Sequence, residues 1–332
     1  MKQWILSSGT GASRLQQRET DAPKPGHGEV AVRVRAASLN YRDLILADNP
    51  QIENRVPLSD GAGEIIGVGE GVNDWKVGDR VCVNFFRDWL GGRFAAKYHD
   101  GALGGTIDGM LSETVVFPAH SLIKIPDHLS FEEAATLPCA GLTAWNGLRR
   151  GGFVAGDSVL LQGTGGVSVF GLQIVVASGG RALITSSSDD KLKRAQGMGA
   201  SEIVNYKRTP EWSKEVWHLT NKRGVDHILE VGGPDTLGQS LACVSNGGHI
   251  AQIGVLTGFE APQTPLSPLF SRNATMSGIY VGSVEAFEEF ARFLEVTRLK
   301  PVVDRVFPLD EARVAYEYLK SGTHFGKVVI SV

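Results

Sequence analysis

Apolar and polar positions change their rhythm twice along this chain. In the first stretch they alternate: "EVAVRVRAASL" (29–39) repeats with a period of two, as a strand with one face buried does. "GEIIGVGEGVNDWKVGDRVCV" reads as strand, Gly-rich turn and strand, so residues 28–125 predict a β-rich region. Residues 84–110 hold many glycines and no clear period, which predicts a loop.

After "IPDHLSFEEAATLP" the texture becomes strand–helix alternation. "DSVLLQG", "RALITS", "HILEVGG" and "GGHIAQIGV" are short apolar strands. "GVSVFGLQIVVASG" is apolar nearly all round, as a helix packed on a sheet would be, and "DDKLKRAQGMGA" is amphipathic and closed by Gly. This order predicts an α/β fold with a doubly wound parallel sheet of the Rossmann type. The tail changes again. "EAFEEFARFLEVTR" sets Phe287, Phe290 and Leu294 on one helical face, "DEARVAYEYLKSG" runs from a capping Asp310 to Gly322, and "KVVISV" is a last strand. A strand-rich start and such a tail suggest one domain made from both chain ends, residues 1–124 and 282–332, around a dinucleotide-type core of 125–281.

Composition narrows the class. The 332 residues are 42% hydrophobic and 21% charged with a net charge of −3, so nucleic acid and anionic membrane are disfavoured as partners. No apolar run reaches the length of a signal peptide core or a membrane span. Cys82, Cys139 and Cys243 are scattered and odd in number, which argues against a disulfide framework and for a cytoplasmic protein.

Chemistry enters at "VLLQGTGGVSVF", where Gly163-Thr164-Gly165-Gly166-Val167 lies between a strand and a helix. Residues without a Cβ let backbone N–H groups approach a pyrophosphate seated on the helix N-terminus. Ser168 stands where the usual fingerprint has its third glycine, small enough for close helix packing. At the end of the second strand an NAD site usually has a carboxylate. This chain has "ITSSSDDKLKR", with Ser186 at that point, followed by Ser187, Ser188 and Lys191. Those hydroxyls and that cation suit a 2′-phosphate, as does Tyr206 in "VNYKR". The same serines also fit a helix N-cap, Lys191 a solvated charge, and Asp189 and Asp190 oppose a phosphate if they point inward. The balance favours NADP(H) over NAD(H).

The segments "SLNYRDL", "DGAGEIIGVGEGVNDWKVGDRV", "EAATLPCAGLTAWNGL", "GTGGVSVFGLQIV", "VDHILEVGG" and "HFGKVVI" resemble the medium-chain dehydrogenase/reductase superfamily, in order and over the whole chain. The resemblance implies a GroES-like catalytic domain from both termini, a Rossmann domain between them, and a homodimer joined through the edge strand that "SGIYVGS" (277–283) resembles. It also implies a place for zinc. In the zinc alcohol dehydrogenases three protein ligands hold the metal, and the matching positions here carry Asn40, Ser59 (followed by Asp60) and Cys139. His27, His99, His120 and His324 show no ligand spacing, and the lobe that would hold a structural zinc, 84–110, has no cysteine. The expectation is no zinc, with Cys139 as packing rather than a ligand or nucleophile.

By the same resemblance, Asn40 lies beside nicotinamide and substrate carbonyl, as in zinc-free quinone oxidoreductases. Tyr41 is a phenol donor or a packing aromatic, and Thr143 faces the carboxamide or is a helix-turn hydroxyl. Gly254, Val255 and Leu256 pass the nicotinamide, and Lys327 pairs with Asp43 on the cleft floor and supports cofactor binding. Phe85, Trp89 and Phe94 are either cleft walls or a cover for the core. Without a Lewis acid, hydride addition to an enone or quinone is less demanding than reduction of a plain ketone. The expected activity is therefore NADP(H)-linked, zinc-free reduction of an activated C=C or quinone. The rivals are a metal-free alcohol or carbonyl dehydrogenase and a non-catalytic NADP(H)-binding structural or sensor dimer.

Overall fold

The computed structural model describes residues 1–259 and 264–332. The chain forms two compact units, Met1–Leu142 with Val281–Val332, and Thr143–Tyr280.

The first unit begins with the antiparallel pair β1 (Lys2–Leu6) and β2 (Leu15–Glu19). There follow β3 (Glu29–Leu39), β4 (Asp60–Val68), β5 (Arg80–Val83), β6 (Thr114–Pro118) and β7 (Leu122–Lys124). In the second unit come β8 (Ser158–Leu161), β9 (Arg181–Ser186), β10 (Glu202–Asn205), β11 (Val225–Glu230), β12 (Val244–Gln252) and β13 (Thr275–Gly278). The chain then returns to the first unit as β14 (Val303–Pro308) and β15 (Lys327–Ser331).

β3 organises the first unit. It pairs antiparallel with β4 along one edge, while its other edge takes β6 at residues 29–33 and β15 at residues 36–39. Two register shifts against β4, at Ala31/Val32 and Val34/Ala36, give the twist that lets one strand serve two partners. The full order is β14-β15-β3-β4-β5-β7. The alternation read from the sequence holds through Val32, Arg33, Val34 and Arg35, and lapses where Ala36–Leu39 is buried on both faces. Inside lie Val32, Val34, Ile65, Val81, Phe307, Val328 and Ile330.

The second unit is a six-stranded parallel sheet ordered β10-β9-β8-β11-β12-β13. That is the dinucleotide-domain order, with its reversal between β8 and β11. Helix Gly166–Ala177 buries Val169, Phe170, Leu172, Ile174 and Val175, as its apolar sequence requires.

Three expectations need correction. The boundary between units falls at Leu142/Thr143, not 124/125, because residues 125–142 are fastened to the first unit. Arg80 donates to the Leu129 carbonyl at 2.6 Å, and the Cys82 thiol to that of Ala134 at 3.2 Å. Asp310 does not cap its helix, which begins at Ala312 after a 3₁₀ turn; its carboxylate accepts from Lys2 and Gln17 instead. Ser168 is buried and donates to the Gln162 carbonyl at 2.5 Å, and Gly171 marks a further close approach of helix and sheet, since a Cβ there would sit 2.7 Å from Leu161 and 2.8 Å from Leu229. The edge strand spans Thr275–Gly278, so only Ser277 and Gly278 of the expected 277–283 belong to it.

Candidate active site and cofactor edge

In the first unit a buried polar cluster gathers around Lys327, the first residue of β15. The pairing of Val328 with Leu39 brings Lys327 to the end of β3. Its ammonium donates to the Leu39 carbonyl and to Asn40 Oδ1, each at 2.5 Å, and stands 4.0 Å from Asp60 Oδ2. An ammonium only donates, so Asn40 must turn its oxygen toward Lys327. The amide nitrogen Nδ2 then faces the Asp60 side, near enough to favour the charged carboxylate but without a well-formed hydrogen bond.

Asp60 is wholly buried, accepts from Ser59 Oγ at 2.7 Å and from the Cys139 backbone N–H at 3.2 Å, and is pushed above the usual carboxylate range by burial. Asp43 accepts from the Asn40 backbone N–H at 2.7 Å and lies 3.7 Å from Arg42; burial raises it to about 6, against the pull of Arg42. The expected Asp43–Lys327 pair is therefore replaced by Asp60–Lys327, because Asp43 is spent on the start of helix Tyr41–Asp48. Tyr41, at that helix start, is 45% exposed.

These groups do not suit zinc. The positions in question offer one thiol, a hydroxyl that donates to Asp60 and a carboxamide held by Lys327, and the Lys327 ammonium already stands 4.0 Å from the Asp60 carboxylate, the anionic oxygen ligand beside them. Among the described residues no group of three or more His, Cys, Asp or Glu side chains could hold a metal ion. Within the lobe at 84–110, Phe85 and Phe86 are fully buried and Trp89 nearly so, with Trp89 and Phe94 ring centres 5.0 Å apart. Phe85 and Trp89 are core residues of this lobe rather than walls of a cleft, since apolar rings clustered in this way exclude water from one another.

In the second unit the predicted cofactor residues lie along the C-terminal edge of the parallel sheet. After β8, Gly163 has φ +72°, and a Cβ added at Gly163 or Gly165 would meet no atom within 4 Å. The turn thus keeps open space over its backbone beside the first turn of helix Gly166–Ala177, which fits an approaching pyrophosphate. Thr164 is buried, Gly166 and Val167 open the helix, and Gly163 N–H donates to Thr185 Oγ1 at 3.2 Å. Thr143, the first residue of this unit, is buried near the start of helix Leu142–Arg150.

Ser186 is buried at the end of β9, and its carbonyl accepts from Tyr206 N–H at 3.1 Å. Ser188 caps helix Asp189–Gly197 by accepting from the Lys191 N–H, so that part of the capping alternative holds. Asp189 does not stand unopposed: Asn205 Nδ2 donates to it at 2.7 Å and Arg208 forms a close ion pair with it. Arg208, 73% exposed at its side chain, is a cation at this edge that the sequence reading passed over, although "VNYKR" contains it. Gly254 follows β12, donates its N–H to the Glu230 carbonyl at 3.1 Å, and is followed by Val255 and an exposed Leu256.

Residues 26–127 match the family model described as the alcohol dehydrogenase GroES-like domain, and residues 166–296 that of the zinc-binding dehydrogenases. A zinc-type alcohol dehydrogenase-like protein of Schizosaccharomyces pombe is 44% identical over 97% of this chain and 96% of its own. An acryloyl-coenzyme A reductase of Metallosphaera sedula is 30% identical over 95% of each. The solved structure of an NAD-dependent alcohol dehydrogenase superposes with a TM-score of 0.90 at 34% identity, covering all of both chains.

Proposed function

The chain belongs to the medium-chain dehydrogenase/reductase superfamily and is an oxidoreductase, and on that footing we propose that it is an NADP(H)-linked, zinc-independent reductase of an activated C=C or quinone. The observation that carries this reading is the Lys327–Asn40 bond of 2.5 Å, which orients the amide of Asn40, the residue that stands in the sequence where the resembled zinc enzymes have a thiolate ligand. A bound NADP(H) supplies the hydride. Asn40 offers its Nδ2 protons to the oxygen of an enone or quinone as negative charge reaches it, and Lys327 keeps the amide from turning over. Gly163, Gly165 and Gly166 take the pyrophosphate, and Ser186, Lys191, Tyr206 and Arg208 the 2′-phosphate, with Arg208 also offsetting Asp189. The similarity to an acryloyl-coenzyme A reductase supports an activated double bond; the names of the other relatives favour an alcohol or carbonyl substrate as the second reading.

The same proposal includes a homodimer through β13, around which Leu266, Phe270, Met276 and Tyr280 are exposed large apolar side chains. Three free cysteines suit a reducing, cytoplasmic setting. Among the described residues no helix is long and apolar enough to cross a membrane.

The test is oxidation of NADPH and NADH with enones, quinones and aldehydes in the presence of a chelator. Turnover of enones or quinones with NADPH is the expected result. Aldehyde turnover alone moves the assignment to the second reading, and chelator-sensitive activity overturns the zinc-independent part. Arg208→Ala should weaken NADPH about tenfold and leave NADH unchanged.

A further inference from the structure

Glu230 ends strand β11 directly after the buried apolar Ile228 and Leu229, and has no exposed surface. Its Oε1 accepts from Gly232 N–H at 2.9 Å, Gly233 N–H at 3.0 Å and Thr236 Oγ1 at 2.5 Å. Its Oε2 accepts from Gln162 Nε2 at 2.7 Å and from Ser240 Oγ. Five donors and no acceptor converge on it, the pattern of an ionised carboxylate. No ion pair to it occurs among the described residues; the negative charge lies beside the N-terminus of helix Pro234–Cys243, where backbone dipoles favour it.

The bonds run outward to three loops of the cofactor edge. Gln162, the residue before Gly163, accepts through Oε1 from Val231 and Gly232 N–H at 3.2 Å each, and through its carbonyl from Ser168 Oγ at 2.5 Å. The Glu230 carbonyl accepts from Ile253 and Gly254 N–H at 2.8 and 3.1 Å. A Cβ on Gly254 would stand 2.0 Å from the Val231 carbonyl oxygen, so these loops meet backbone to backbone with no slack. A strand that needed only stability would bury an apolar side chain here more cheaply than a charge.

We infer that Glu230 is a positioning residue for dinucleotide binding, clamping the loops after β8, β11 and β12 so that the glycine turn keeps its shape. It touches no cofactor atom; it acts through Gln162 and the Gly232–Gly233 turn. The inference rests on the proposed NADP(H) reading, and wild-type enzyme that binds neither NADPH nor NADH overturns that reading and this inference together.

The network also defines its own rescue. In Glu230→Gln the new amide NH₂ faces Gln162 Nε2, donor against donor. Adding Gln162→Glu restores complementarity, because residue 162 then accepts from Val231, Gly232 and the amide at 230. Kd for NADPH, followed by cofactor fluorescence, and steady-state constants are measured beside thermal melts. Glu230→Gln is expected to raise Kd and the cofactor KM about tenfold with kcat changed far less, and the double variant to return both toward wild type. Thr236→Val, which removes one peripheral bond, should weaken NADPH about threefold. If Glu230→Gln lowers the melting temperature yet binds NADPH as wild type does, Glu230 is only a brace and the inference fails. Should the single variant not fold, wild-type affinity in Thr236→Val or lost affinity in a folded double variant overturns it equally.

Discussion

Two buried charge clusters, one in each unit, keep carboxylates out of water by opposite means. Around Lys327 two acids and a lysine share a small space, and two polar atoms, Asn40 Nδ2 and Asp43 Oδ1, lack a hydrogen bond. Around Glu230 a single charge is met by five neutral donors and no counter-ion. The first arrangement leaves unspent hydrogen-bonding capacity, which chemistry can use. The second leaves none at the carboxylate, which is how a clamp is built.

The comparison breaks most visibly if Lys327 is removed. Lys327→Met strands Asp60 without its cation and should cost about 3–5 kcal/mol in denaturant unfolding, with much of that regained by adding Asp60→Asn. Equal stability of Lys327→Met and wild type would mean that Asp60 does not need its partner.

Acid sharpens the contrast between units. Burial raises Asp43 from 3.8 to about 6, so the folded state holds that proton more tightly and the group's contribution to stability falls as pH rises from about 4 to 6. His249, buried in the second unit with His227 and Arg150 nearby, is lowered from 6.5 to about 4, so its contribution is complete above 6.5 and lost as pH falls toward 4. The two oppose each other over one window, each on the order of 3 kcal/mol. Asp43→Asn should steepen the acid loss of stability between pH 6 and 4, and His249→Phe should reverse its sign; parallel profiles for all three proteins would refute the assignment.

The smallest test sets two glycines of one helix region side by side. Gly171→Ala puts a methyl against Leu161 and Leu229 and should destabilise by about 1–3 kcal/mol. Gly165→Ala meets nothing within 4 Å and should leave the melting temperature unchanged while weakening cofactor binding. A loss of stability in Gly165→Ala would show that the turn is packed rather than open.

How much of this was legible in the sequence follows from what is local. The glycine turn could be read because strand, turn and helix are consecutive, and β3 because its period is two. The partner of Lys327 could not, since Asp43 and Asp60 lie on different elements and the choice depends on the register of β15 against β3. Asp43 was expected there because the resembled dehydrogenases pair this acid with a basic residue of the last strand, but its place three residues after Asn40 commits it to the helix start. The Glu230 clamp left a readable trace, a charge directly after the apolar Ile228 and Leu229 in "HILEVGG", but its donors are distributed from Gln162 to Ser240. The aromatic packing of the 84–110 lobe had no period at all to read.

β15 lies inside its sheet, between β14 and β3, although it follows every other element of its unit in the chain. While the ribosome is still adding residues 143–326, β3 has only β4 and β6 beside it, and the ammonium that orders Asn40 does not yet exist. The second unit, by contrast, is contiguous and has all its strands once Gly278 has emerged. Assembly thus has a direction: the parallel sheet can settle on the nascent chain, whereas residues 36–39 of β3 stay unpaired on one edge until β15 has emerged, an exposed edge in that interval.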